Sequence, residues 1–124
     1  MSYLVDANVL SEATKPSPDT KVVEWLRDNE REIVIDPVLP GVQRRRRLQR
    51  WFELGVKRIH CLPWEPACGL RWAKLLADLR AAGHAMPIKD SLIAATALVH
   101  GITVATRNVR DFRKAGVKIL NPFA

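Results

Sequence analysis

The sequence predicts an α/β domain built on a parallel sheet with helices on both faces, a three-layer α/β/α sandwich. Short, mostly β-branched apolar runs recur along the chain, stretches of helical apolar spacing separate them, and no two-residue hairpin signal joins any pair. Parallel neighbours cannot be joined by a tight turn, so each intervening helix is read as a crossover. The runs number enough for a central sheet of four to five strands.

The strand candidates are Tyr3-Leu4-Val5, Ile33-Val34-Ile35, Ile59-His60-Cys61-Leu62, Ile102-Thr103-Val104-Ala105 and Val117-Lys118-Ile119-Leu120. Helices are predicted from Val22, Trp25 and Leu26 behind the cap residue Asp19, and from Leu48, Trp51 and Phe52. Two more follow from Trp72, Leu76 and Leu79, and from Ile88, Leu92, Ala95 and Val99. Pro87 and Asp90 suit the first turn of the last of these, and Gly101 sits where a left-handed residue ends it. The strand from Ile102 follows at once.

At 124 residues, the chain is expected to be a single domain over 1–124, large enough to bury a core. Hydrophobic residues at 48% exclude a disordered chain, and no apolar stretch approaches the ~20 residues that span a bilayer. No secretory leader opens the sequence, so a cytoplasmic protein with no membrane partner is expected. Cys61 and Cys68 match neither a disulfide framework nor a C-x-x-C metal spacing and are read as reduced thiols. His60, His84 and His100 show no spacing that suggests a shared metal.

The net charge of +7 and the run Arg44-Arg45-Arg46-Arg47 with Arg50 suggest a polyanionic partner. A solvated helix face is the commoner meaning of an isolated charge run, but the excess over the whole chain favours nucleic acid.

Acidic residues then mark one edge of the sheet. In open α/β sheets, ligands collect at the carboxyl ends of strands where strand order reverses. Asp6 closes the first strand there, although it also suits the start of the helix that follows. A helix that runs back before a parallel strand starts at the edge where that strand ends, so Asp90 belongs at the same edge. The strand through Ala105 emerges there into Thr106-Arg107-Asn108-Val109-Arg110-Asp111. Each residue has a plainer reading: Asp90 as a dipole partner, Asn108 as a cap for Val109 to Lys114, and Asp111 as a surface partner of Arg107 or Arg110. The plain reading is favoured for Asp111. Carboxylates gathered without His or Cys suit Mg²⁺ or Mn²⁺, and such an ion in a basic protein points to a nuclease. A phosphatase with an aspartyl nucleophile is disfavoured because Asn8 replaces the second acid of D-x-D, and no G-x-G-x-x-G follows a strand.

The motifs resemble those of the PIN-domain family, in particular the VapC-type ribonuclease toxins of bacterial toxin–antitoxin pairs. Tyr3-Leu4-Val5-Asp6-Ala7-Asn8-Val9-Leu10-Ser11-Glu12 is similar to the amino-terminal D-T-N motif, with Ala7 where Thr is usual. Pro87-Ile88-Lys89-Asp90-Ser91-Leu92-Ile93-Ala94-Ala95-Thr96-Ala97, Thr103-Val104-Ala105-Thr106-Arg107-Asn108 and Asn121-Pro122-Phe123 match more closely. The resemblance implies a PIN-like sandwich that cleaves RNA with Mg²⁺ or Mn²⁺. It implies Asp6 and Asp90 as catalytic and metal-binding acids and Asn108 at a position where relatives carry an acid or amide. Asn8, Thr106 and Asp111 are supporting candidates, and Arg44, Arg45, Arg46, Arg47, Arg50 and Arg107 are candidates for RNA contact. A cognate antitoxin and a homodimer are the implied protein partners.

One segment departs from the family pattern. Relatives carry a further acid, usually Glu, on a helix directly after the second strand, but here no acid occurs between Asp36 and Glu53. Pro37 and Pro40 oppose an unbroken helix across that junction. The sequence therefore reads as having an internal deletion, with Asp36 the nearest substitute ligand, through water. Asp before Pro is also a common turn residue. Fewer carboxylates should weaken metal binding, and the alternative function is an inactive PIN-like protein that binds an antitoxin or RNA without cutting. A lost helix should also uncover apolar surface and favour association. Light scattering is expected to find species larger than the monomer; a clean monomer that binds no hydrophobic dye would contradict this reading.

Overall fold

The computed structural model describes residues 2–13, 15–35, 60–62 and 64–124. Asp36, the arginine run and the helix predicted from Leu48, Trp51 and Phe52 lie outside the described residues. Five strands pair in one sheet: β1 (Tyr3–Val5), β2 (Ile33–Ile35), β3 (His60–Cys61), β4 (Thr103–Ala105) and β5 (Ile119–Leu120). Their order is β3-β2-β1-β4-β5 and every pairing is parallel. The five predicted runs each supply one strand, some shorter than the run itself.

The helices are α1 (Ala7–Ala13), α2 (Thr20–Asp28), α3 (Pro66–Ala81), α4 (Ile88–His100) and α5 (Val109–Arg113), with a 3₁₀ turn over Glu30–Glu32. Asp19 caps α2 as predicted, its Oδ1 accepting from the Lys21 amide at 2.9 Å. Gly101 ends α4 at φ 63°, in the left-handed region that a side chain opposes. Pro87 is the residue just before α4 rather than inside its first turn.

Alternation along the strands sorts the core into two halves. Val5, Ile33, Ile35 and Ala105 pack with Val9, Leu10, Val22 and Leu26 of α1 and α2. Leu4 and Val104 point the other way, onto Leu75, Leu79, Ile93, Ala94 and Phe112 of α3, α4 and α5. The sheet is thus covered on both faces, as parallel sheets require. Cys68 is buried in α3 as a free thiol. Trp64, Leu70 and Ile88 are the large hydrophobics left exposed among the described residues. No described helix is long and apolar enough to cross a membrane.

The strand order reverses at β1. The chain leaves β1 toward β2 and β3, then crosses back through α3 and α4 to lay β4 on the other side of β1. The crevice between the carboxyl ends of β1 and β4 is therefore the switch point at which such sheets bind ligands.

Leu4 is fully buried at the centre of the sheet. Leu4→Ala should lower unfolding stability by about 2–5 kcal/mol, measured by urea denaturation.

Candidate active site

Asp6 follows β1 and is only 4% exposed. Its Oδ1 accepts from the Ala7 amide at 2.7 Å, at the start of α1. Its Oδ2 accepts from the Thr106 hydroxyl at 2.8 Å and from Asn8 Nδ2 at 3.2 Å. One oxygen of Asp6 thus takes the first amide of α1 and the other takes Thr106, directly after β4.

Thr106, directly after β4, is fully buried and joins three segments. Besides donating to Asp6, its hydroxyl accepts from Asn8 Nδ2 at 3.3 Å and from the Asn108 amide at 3.0 Å. Asn108 precedes α5, but its side chain makes no capping bond. Instead Nδ2 donates to Asp90 Oδ2 at 3.0 Å and to Asp111 Oδ2 at 2.9 Å. Asp90 lies in the first turn of α4 and is 8% exposed. Asp6, Asn8, Asp90, Thr106, Asn108 and Asp111 thus form one continuous network at the switch point.

The electrostatics set Asp90 apart from Asp111. Burial raises the Asp90 carboxyl above the ordinary range, and the negative charge of Asp6 pushes it further, against the pull of Lys89 and the Asn108 hydrogen bond. Asp111 is held below the ordinary range, first by the Asn108 hydrogen bond and then by Lys114 and Arg110. Its ion-pair partner is Lys114 at 3.5 Å, where the sequence suggested Arg107 or Arg110.

Among the described residues, no three His, Cys, Asp or Glu side chains are grouped to hold an ion. The anionic part of the donor set is the pair Asp6 and Asp90, with the oxygens of Thr106 and Asn108 nearby. Two carboxylates and neutral oxygens, with water completing the shell, fit a small hard divalent cation, and the mutual repulsion of the pair favours one.

Glu12 was not singled out from the sequence. It is 6% exposed in α1, and its carboxylate accepts from Lys15 Nζ at 3.0 Å, from the Asp19 amide at 3.4 Å and from Arg107 Nη2 at 3.4 Å. The available signal was its spacing: Glu12 lies four residues after Asn8 and so shares its helix face. Arg107 also stands 3.8 Å over the Phe123 ring.

The model of the PIN domain matches residues 3–118. This chain belongs to the PIN-domain family. Among relatives of this PIN domain, the plasmid stability protein StbB of Pseudomonas syringae pv. tomato is 33% identical, over 97% of each chain. The VapC ribonuclease Y4jK of Sinorhizobium fredii is 30% identical, over 97% of this chain and 96% of its own. The crystal structure of FitAcB from Neisseria gonorrhoeae superposes with a TM-score of 0.75 at 26% identity, covering 98% of each chain. Both sequence alignments run over 135 positions, more than the 124 residues here, so this chain is gapped against both relatives.

A carboxyl raised in the fold adds stability below its ordinary pKa and loses it as pH rises through the raised value. In chelator, Asp90→Asn should therefore melt above the wild type at neutral pH. The gap should narrow as pH falls through the carboxylate range, read by thermal denaturation across pH.

Proposed function

We propose that this PIN-domain protein is a metal-dependent endoribonuclease, the toxin member of a toxin–antitoxin pair, which hydrolyses RNA phosphodiesters with Mg²⁺ or Mn²⁺. The observation that carries the reading is the pair of buried acids, Asp6 and Asp90, at the switch-point crevice, where Asp6 disfavours ionisation of Asp90. Such a pair is costly unless a cation is shared between its members.

In this reading Asp6 and Asp90 hold the ion. Thr106 and Asn8 fix the rotamer of Asp6 through Oδ2, while Asn108 Nδ2 orients Asp90 and bridges it to Asp111. The bound ion supplies Lewis acidity, polarising a phosphodiester and lowering the pKa of an attacking water. The protein contributes placement: fixed carboxylates keep water and phosphate in line, where small displacements are expensive in rate. The excess of positive charge, including Arg44 to Arg47 and Arg50, attracts the RNA backbone.

A cytoplasmic location, a small antitoxin that restrains the enzyme and a homodimeric assembly complete the proposal. The ribonuclease reading is supported by the similarity to the VapC ribonuclease.

A second reading, an inactive PIN domain that binds without cutting, is favoured by one specific observation. The sequence has no acid between Asp36 and Glu53, and no third acid joins Asp6 and Asp90 as an ion-binding group among the described residues.

One assay separates the two readings. Purified protein is incubated with structured RNA and Mg²⁺ or Mn²⁺, beside Asp6→Asn and Asp90→Asn. Each variant should lose about 100-fold or more in cleavage rate, and chelator should stop the wild type. Cleavage unchanged in both variants would remove Asp6 and Asp90 from the chemistry. Absence of cleavage by all three, with RNA still bound, would establish the second reading.

A further inference from the structure

Arg107 is an arginine beside the catalytic edge of a basic protein, and by charge alone it belongs with the RNA contacts. Its surroundings give it different work. The backbone amide donates to Asn8 Oδ1 at 3.2 Å, and Nη2 reaches Glu12 Oε1 at 3.4 Å. Asn8 and Glu12 lie one helical turn apart on α1, so a single residue grips that helix face at two points.

The other face of the guanidinium is occupied too. Its carbon lies 3.8 Å from the centre of the Phe123 ring, within cation–π range. Phe123 itself is held in the terminal turn, its amide donating to Asn121 Oδ1 at 3.0 Å, and it packs against the half of the core formed by α1 and α2. Glu12 is a firm anchor because Lys15 and the Asp19 amide also bind its carboxylate. Half of the Arg107 side chain remains exposed, so the ion pair adds little stability by itself. Its effect is geometric.

The two segments joined by this grip carry the functional groups. Asp6 enters α1, and Asn8 donates to Asp6 Oδ2. Thr106 and Asn108 flank Arg107 and bind Asp6 and Asp90 respectively. We propose that Arg107 is a positioning residue: clamped between Glu12 and Phe123, it locks the loop after β4 onto α1 and so sets the spacing of Asp6 and Asp90, and it does not serve as an RNA contact. The inference rests on the proposed metal site.

The test compares Mn²⁺ affinity, from the electron paramagnetic resonance signal of free Mn²⁺, with RNA affinity, from fluorescence anisotropy in chelator. Both are measured at a temperature where every variant is folded. Arg107→Ala should weaken Mn²⁺ binding by about 10-fold, the usual cost of losing a group that orients ligands, and leave metal-free RNA binding and its salt dependence unchanged. Glu12→Gln should reproduce the loss of Mn²⁺ affinity. The double variant should be no worse than the more affected single one, since both break the same clamp. Should Arg107→Ala fail to fold, Glu12→Gln and Arg107→Lys probe the clamp from either side, and each should weaken Mn²⁺ binding.

Unchanged Mn²⁺ affinity in the folded variants would overturn the proposal, including the case in which only the melting temperature falls. A drop in RNA affinity for Arg107→Ala, with the log–log salt slope reduced by about one and Mn²⁺ binding intact, would make Arg107 a phosphate contact. Additive losses in the double variant would show that Glu12 and Arg107 act separately. If the wild type binds no Mn²⁺, the metal site fails and the clamp fails with it; wild-type binding that no variant alters refutes the clamp alone.

Discussion

The hydrogen bond from the Thr106 hydroxyl to Asp6 Oδ2, 2.8 Å long and buried, spans the switch point and closes the gap between the ends of β1 and β4. Both residues leave their strands at the same level because Val5 is registered on Ala105, and the Asp6 amide continues the ladder by donating to the Ala105 carbonyl at 2.9 Å. A carboxylate excluded from water must be paired with donors, and those available come from Ala7, Asn8 and Thr106. Each donor ties a further segment to this point. Loss of the bond would leave Asp6 Oδ2 with Asn8 as its remaining donor.

From that bond the site grows outward by shared groups. The Thr106 hydroxyl takes the Asn108 amide, Asn108 spends its own side-chain amide on Asp90 and Asp111, and Asp111 reaches Lys114. On the other side, Asn8 and Glu12 hold Arg107 against α1. The arrangement explains how a domain of short strands keeps buried acids near one another. Their repulsion is resisted by polar groups fixed on two helix starts and one loop.

Much of the fold was legible because it depends on patterns of short range. Runs such as Ile33-Val34-Ile35 are too β-branched and too short for helices, and the 3.6-residue spacing of Ile88, Leu92, Ala95 and Val99 predicts a helix, although the face it packs into the core is that of Ile93, Ala94 and Ala97 and Ile88 is left exposed. Gly101 and Asp19 carry local chemistry that marks a helix end and a helix start. Asp6 and Asp90 were legible for a topological reason: in parallel β-α-β connections, the end of a strand and the start of the helix preceding the next strand share an edge. What escaped was the partner chemistry of residues whose contacts are distant in sequence. Asn108 was placed at the edge with Asp6 and Asp90, but its bonds to Asp90 and Asp111 were not foreseen, and Arg107 was read as an RNA contact where it meets Glu12 and Phe123. The plainer reading of Asp111 paired it with Arg107 or Arg110, whereas its ion-pair partner is Lys114, three residues on at the end of α5.

The sequence by itself determined the layer architecture, the order of its elements and the edge where the acids gather. All of these follow from apolar periodicity, chain connectivity and residue count. Only the tertiary structure decided which side chains touch, because a carboxylate and its donors can lie a hundred residues apart, as Asp6 and Thr106 do. Burial then determined what those contacts mean. The same aspartate is an ordinary helix-start residue when exposed and, buried beside Asp90, one member of a pair whose charge favours a cation.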